Sequence, residues 1–215
     1  MTAETAITPD LLLHAYRSGL FPMAETRDDP DIFWVDPRKR GIFPLDSFRI
    51  SRSLAKTLRR DAYQVTLNRD FQGVMSACAD REETWINDQI FDLYTQLFDL
   101  GHAHSIEVWD DGMLIGGVYG VTIGSAYCGE SMFSRKRDAS KIALAWLVDH
   151  LNRCGFTLFD TQFLTPHLAS LGAIEIPRAA YHQRLQDALQ LDADYTAHPL
   201  ADSGQDVVQR NGQTS

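Results

Sequence analysis

At His104 the chain switches from helical spacing to alternation, and this switch constrains the fold more than any other feature. His104-Ser105-Ile106-Glu107-Val108-Trp109 sets apolar residues two apart and runs into Asp110-Asp111-Gly112, a hairpin signal because these residues accept the positive φ of a tight turn. The returning strand is expected over 113–121 and a third over 125–133. Asp138 is expected to cap a helix running to Arg153, with Ile142, Trp146, Leu147 and Leu151 turned inward and Gly155 as its stop. Thr157 to Phe163 then reads as a buried strand. Three strands, a helix and a strand make an α+β module around one central sheet.

Upstream, Thr8 can cap a helix, Pro9 fits its first position, and Gly19 ends it after Leu11, Leu12, Ala15 and Tyr16. Pro22, Pro30, Pro37 and Pro44 divide the next stretch too finely for long helices. Helical spacing returns at 51–60, 70–80 and 88–100, the last with Ile90, Phe91, Tyr94, Leu97 and Phe98 as one stripe. The expected organisation is a small N-terminal lobe over 1–48, a larger domain over 49–190, and a loose polar tail over 191–215.

A chain of 215 residues, 44% hydrophobic, can bury a real core. It has no apolar run long enough to span a bilayer, and Met1-Thr2-Ala3-Glu4-Thr5 lacks the basic and apolar parts of a signal peptide, so a cytoplasmic location is expected. Cys78, Cys128 and Cys154 have unrelated spacings that suit neither a disulfide framework nor a zinc site, and no metal is expected. They read as buried thiols.

Three groups of residues carry the chemistry. Glu130, in Cys128-Gly129-Glu130-Ser131-Met132-Phe133-Ser134-Arg135, is a carboxylate among small and apolar neighbours, which is costly unless paired or used. Asp160 and Gln162, two apart on an extended strand, would project from one face and converge on one substrate group. The third group is basic. The net charge is −9, yet Arg38, Lys39, Arg40, Arg49, Arg52, Lys56, Arg59 and Arg60 are opposed only by Asp46, and phosphate binding depends on local cations rather than total charge.

Taken together, the chain resembles the bacterial leucyl/phenylalanyl-tRNA protein transferases. The matching segments include Tyr16-Arg17-Ser18-Gly19-Leu20-Phe21-Pro22, Trp34-Val35-Asp36-Pro37-Arg38, Ile50-Ser51-Arg52-Ser53, Thr84-Trp85-Ile86, Gly101 to Trp109, Gly116-Gly117-Val118-Tyr119-Gly120, Cys128 to Arg135, Asp160-Thr161-Gln162 and Glu175-Ile176-Pro177-Arg178. The resemblance implies an N-terminal lobe packed on a domain like the GCN5-related N-acetyltransferases, with a central mixed sheet. It implies transfer of Leu or Phe, less readily Met, from aminoacyl-tRNA to the α-amino group of proteins beginning with Arg or Lys, which marks them for N-degron proteolysis. No cofactor is implied, because the ester is already activated, and a monomer is expected.

By the same resemblance Asp160 and Gln162 assist the incoming amine, with Asp160 either orienting Gln162 or taking the proton itself. Trp34 and Trp85 would hold the terminal adenosine of the tRNA. Val118, Tyr127, Leu144, Leu147, Leu151 and Phe159 would form the acyl pocket. Glu130 would contact either the amino group of the transferred residue or the basic first residue of the acceptor, as a recognising carboxylate rather than the general base. Arg52, Lys56, Arg59, Arg60 and Arg135 are expected to contact tRNA phosphates. Members often carry an aromatic at the position of Met23 and Cys at that of Thr161; on a regular strand Thr161 faces away from the catalytic pair.

Other classes fit less well. An acyl-CoA transferase would need a glycine-rich turn for pyrophosphate, and Ser134-Arg135-Lys136-Arg137-Asp138-Ala139 has no glycine. A tRNA-binding module without catalysis leaves Asp160, Gln162 and Glu130 unused. A cysteine hydrolase would need His102, His104 or His167 beside a thiol.

Overall fold

The computed structural model describes residues 7–29 and 31–212. The expectations placed on Met1 to Thr5, on Pro30 and on the last three residues lie outside the described residues. In chain order the elements are α1 (Pro9–Arg17), β1 (Phe21–Met23), β2 (Phe33–Val35), β3 (Lys39–Phe43), α2 (Arg52–Arg59), β4 (Gln64–Leu67), α3 (Phe71–Ala79), α4 (Asp88–Asp99), β5 (Ala103–Asp110), β6 (Met113–Ile123), β7 (Ala126–Ser134), α5 (Ala139–Arg153), β8 (Leu158–Gln162), α6 (Pro166–Ser170), β9 (Ile174–Pro177), α7 (Arg178–Ala188) and α8 (Gly204–Gly212).

The central sheet has the order β4-β5-β6-β7-β8-β3-β9, antiparallel throughout except for the parallel pair β7/β8. That pair follows from α5, which crosses over between them, since parallel neighbours require a long connection. The α+β class with a central mixed sheet is therefore observed. Two apolar clusters cover the two faces: α1, α3 and α4 pack on one, α2 and α5 on the other.

Local chemistry places the elements with a few surprises. Thr8, Ser51 and Asn87 cap α1, α2 and α4 as side-chain acceptors. Asp138 does not cap α5. It sits at the helix start with φ +65 and its carboxylate pairs with Lys141 at 2.8 Å, while Ser134 Oγ accepts the Ser140 N–H at 3.3 Å. The boundary near residue 48 also shifts, because β3 is hydrogen-bonded between β8 and β9 inside the main sheet. Among the described residues only β1 and β2 form a separate two-stranded ribbon.

The loose tail is overturned. Tyr195 is buried, its ring stacked on His104 at 4.2 Å, and α8 packs against α2 and α5 with Val207 and Val208 inward. Arg210 closes the contact with a two-pronged bond to buried Asp149, 2.5 and 2.9 Å. Polar composition hid this because one short apolar pair suffices when the receiving surface is preformed. Deleting residues 204–215 is expected to destabilise the fold by about 3 kcal/mol or more, from the lost burial of Val207 and Val208 and of the apolar surface they cover, and it leaves Asp149 with Arg153, 3.8 Å away, as its counter-charge. A thermal melt of the truncated chain that matched the full-length one would refute the packing role.

Candidate active site

A cleft of about 270 Å³ opens where β7 and β8 part, lined among others by Met23, Trp85, Val118, Leu144 and Phe159, with Glu130 and Gln162 among its polar groups beside Arg81, Ser131, Thr161 and Thr165. The strands diverge because their parallel pairing covers only Ala126–Cys128 against Leu158–Asp160. Beyond that point each chain must satisfy its polar groups elsewhere.

Glu130 is 8% exposed and holds three donors: Tyr16 Oη at 2.7 Å on Oε1, and Tyr94 Oη at 3.0 Å and Gln162 Nε2 at 3.0 Å on Oε2. The two tyrosine hydroxyls also hydrogen-bond each other. Burial pushes the Glu130 carboxyl up to about 7, against the lowering effect of its three donors, with the Asp160 charge adding to the rise. Burial, with the Glu130 charge adding, also pushes both phenols far above their usual value, so both stay protonated.

A hydroxyl has one proton. Tyr16, Tyr94 and Glu130 can therefore all be hydrogen-bonded to one another only if Glu130 carries a proton, closing a ring of three donors and three acceptors. The ionised carboxylate is held by two phenols and an amide instead. Both protonation states are thus accommodated by small hydroxyl rotations, as a group that gains and loses a proton requires.

Asp160 is fully buried and answers a different need. Arg40 Nε and Nη2 grip its two oxygens at 2.8 and 2.6 Å. Tyr181 Oη donates to Oδ2 at 2.9 Å, and the Gln162 backbone N–H donates to Oδ1 at 2.8 Å. Arg40 itself is 1% exposed, lies between the rings of Phe21 and Tyr181 at 4.6 and 4.3 Å, and donates Nη1 to the Gly19 carbonyl. Burial works against its charge, but the Asp160 carboxylate raises it above its ordinary value.

Asp160 and Gln162 do not converge on one substrate group. Gln162 has φ +61, and the Phe163 N–H bonds the Thr161 carbonyl at 2.6 Å, which makes Gln162 the centre of a γ-turn with positive φ, a rare and strained conformation. The turn breaks strand alternation, so Thr161 and Gln162 both line the cleft while Asp160 points behind it to Arg40. Gln162 Nε2 is committed to Glu130, and its Oε1 is the end left for a ligand.

The other expected site residues divide. Val118, Leu144 and Phe159 line the cleft, with Trp85 at the same wall. Tyr127, Leu147 and Leu151 stand behind it in the sheet-facing core: the cleft reaches only the first half of α5, and the Tyr127 ring turns toward Phe159 and Tyr195. Trp34 is half-buried on β2, paired with Pro22 one residue from cleft-lining Met23.

The basic residues also divide. Arg52 and Arg59 line a second, larger concavity of about 860 Å³ together with Arg49 and Lys141, at the start of α2. The exposed Asp46 is the carboxylate in its lining. Lys56 and Arg60 are exposed outside that groove. Arg135 lies on the far rim over Phe133 and 3.8 Å from Asp80. Of the other cations in the basic run, Arg38 and Lys39 are exposed, Lys39 lying 3.6 Å from Glu175, and Arg40 is the buried partner of Asp160.

Tyr16, Tyr94, Arg40 and Tyr181 were not legible as site residues. Tyr16 and Tyr94, buried behind the cleft against Glu130, sit in helical apolar stripes, where core is the expected role. A signal existed for Arg40 only indirectly: a buried Asp160 requires a partner. A different histidine from those named above, His150, lies 3.6 Å from Cys154, but its Nε2 bonds the Tyr195 carbonyl and burial pushes the thiol up, so the pair is structural. Among the described residues no cluster of His, Cys, Asp and Glu could hold a metal ion, and no helix is long and apolar enough to cross a membrane.

Residues 42–186 match the family described as leucyl/phenylalanyl-tRNA protein transferase, and residues 5–38 match the N-terminal domain of the same family. A leucyl/phenylalanyl-tRNA–protein transferase of Ruegeria sp. is 64% identical over 209 residues, covering 97% of this chain and 99% of the relative. One of Cereibacter sphaeroides is also 64% identical, covering 98% of each. A crystal structure of FemX superposes with a TM-score of 0.50 at 12% identity, covering 81% of this chain and 70% of that one, a likeness of fold.

Proposed function

The chain belongs to the leucyl/phenylalanyl-tRNA protein transferase family and is an aminoacyltransferase that uses aminoacyl-tRNA and a protein, and on that premise we propose the finer assignment of substrates and residues. The enzyme transfers Leu or Phe, less readily Met, to the α-amino group of proteins that begin with Arg or Lys. It works in the cytoplasm as a monomer and marks its products for N-degron proteolysis. The observation that carries this reading is the protonatable Glu130–Gln162 pair at the end of an apolar cleft. Val118, Leu144 and Phe159 receive an apolar side chain; an apolar pocket separates similar hydrophobes by only about 1–3 kcal/mol per methylene, in keeping with several accepted donors.

The terminal adenosine lies against Trp85 and Trp34, and its ester carbonyl faces Gln162. The acceptor amine, deprotonated, is aligned by Gln162 Oε1 and attacks the carbonyl carbon. A C–N bond forms, the C–O bond to the ribose breaks, and Glu130 takes the proton released by the nitrogen and returns it to the departing ribose oxygen. The reaction needs no added energy source because the ester is more reactive than the amide. Alignment of two bound reactants is the larger contribution.

The experiment is transfer from labelled Leu-tRNA, Phe-tRNA or acetyl-CoA to peptides beginning with Arg, Lys, Asp or Glu. Leu and Phe are expected on the Arg and Lys peptides alone. Transfer only to acidic peptides would overturn the acceptor, and transfer only from acetyl-CoA would overturn the donor.

Arg49, Arg52, Arg59 and Lys141 receive the acceptor-stem backbone, with Arg135 contributing from the far rim. Arg49→Glu with Arg52→Glu is expected to raise KM for charged tRNA at least tenfold and to flatten its log–log salt dependence by about 0.7–0.9 for each phosphate that is no longer neutralised. Transfer from a minimal aminoacyl-adenosine should be unaffected. An equal loss with both donors would refute the phosphate role.

A further inference from the structure

We propose that Arg40 is a positioning residue for the transfer reaction: through Asp160 it holds Gln162 in its strained turn and keeps the Asp160 carboxylate out of proton transfer. The inference rests on the assignment of Gln162 and Glu130 above.

Every contact of Asp160 supports it. The carboxylate offers about four acceptor directions, and the Arg40 fork, the Tyr181 hydroxyl and the Gln162 N–H use them all. Asp160 does not line the cleft, so no substrate proton meets it. The one bond it sends toward the cleft goes to the Gln162 backbone, at the residue whose φ of +61 a glutamine does not adopt unaided. The Gln162 side chain is then aimed at Glu130 at 3.0 Å, with Oε1 left for the amine. Strain at Gln162 persists only if its anchor is rigid. Arg40 supplies that rigidity, being held at the Gly19 carbonyl, between two aromatic faces and against Tyr181.

Lysine cannot reproduce the planar fork. Arg40→Lys keeps the charge, lets Asp160 and Gln162 relax, and is expected to lower kcat for Leu transfer to an Arg peptide about 100-fold, as a small misplacement at a reacting centre does. KM for charged tRNA and for the peptide should stay within about twofold, because neither substrate touches Arg40.

The discriminating measurement is the same substitution in a Gln162→Ala background. If Arg40 acts through Gln162, Arg40→Lys lowers kcat no further once that amide is gone. Tyr181→Phe, which removes a hydroxyl shared by Arg40 and Asp160 and leaves the ring, covers the case in which Arg40→Lys does not fold; its expected kcat loss is about tenfold, the worth of one hydrogen bond to a charged group. Wild-type kcat in folded Arg40→Lys or in Tyr181→Phe, or losses that multiply in the double variant, overturn the positioning role. Wild-type enzyme inactive with every charged tRNA in the same assay would instead sink the underlying assignment.

Discussion

Glu130→Gln is expected to lower kcat for transfer by about 10²- to 10³-fold, the range of general base catalysis, with little change in KM for charged tRNA. Glutamine preserves the shape of the cleft and contacts to Tyr16, Tyr94 and Gln162, but it cannot take a proton. The pH profile separates this role from simple recognition. In the wild type, kcat/KM should rise with pH in two steps, one through about 7 as Glu130 ionises and becomes able to accept a proton, and one at about 7.7–8.0 as the acceptor α-amino group loses its own. The variant should lose the first step and keep the second. A first step of unchanged midpoint in Glu130→Gln would mean that another group accepts the proton.

Stability gives an independent reading of the same carboxyl. Its pKa is raised from 4.5 to about 7 on folding, so between those values the folded state holds more protons than the unfolded state. Stability from this group is thus full below about 4.5 and falls as pH rises toward about 7. The difference is on the order of 3 kcal/mol above neutrality. Glu130→Gln removes the penalty, so the variant should melt above the wild type at pH 8 and approach it near pH 5. A constant difference between the two across this range would show that Glu130 does not titrate on folding. Such a gain in stability with a loss of turnover is the expected mark of a strained functional group.

The division of labour between the two carboxylates is a matter of environment. Glu130 receives only neutral donors in an apolar cleft, so it can hold a proton at neutral pH, whereas Asp160 faces a guanidinium across two short bonds. Sequence reading found both residues, and one of its two alternatives, Asp160 orienting Gln162, agrees with the bond from the Gln162 N–H to Asp160. It missed the shared face because it assumed an unbroken strand through Gln162. No propensity marks the γ-turn, which is imposed by Asp160 and by the divergence of β7 and β8.

What was legible follows a physical pattern. The helices at 52–59, 71–79 and 88–99 and the β5–β6 hairpin are set by local periodicity, and the sequence shows periodicity directly. The place of β3 in the main sheet and the docking of α8 depend on distant partners, about 120 residues away for Arg40 with Asp160 and 61 for Asp149 with Arg210. Within the site, the carboxylates stood out because charge among apolar residues is unusual, while Tyr16 and Tyr94 did not, since tyrosine is ordinary in a core. Arg40 was masked by its neighbours: a cation inside a basic run reads as surface, and only the register of β3 against β8 reveals that it is buried.

Asp160→Ala is the substitution with the largest expected structural effect, and it must be interpreted with that in mind. Removing one partner of a buried ion pair leaves the Arg40 guanidinium, 1% exposed, without a counter-charge, which costs about 3–5 kcal/mol. For a chain of this size the melting temperature should fall by about 6–20 °C. Turnover should also vanish, but loss of activity alone would not distinguish a catalytic from a positioning role. The pair Arg40→Met with Asp160→Leu does distinguish them. Exchanging a buried ion pair for apolar side chains of similar volume is often neutral for stability, so the double variant should regain most of the melting temperature. Its turnover should stay low, because no carboxylate remains to hold the Gln162 N–H. Full recovery of both would mean that the ion pair serves only the core; a single Asp160→Ala variant that melts with the wild type would mean that Arg40 finds another partner.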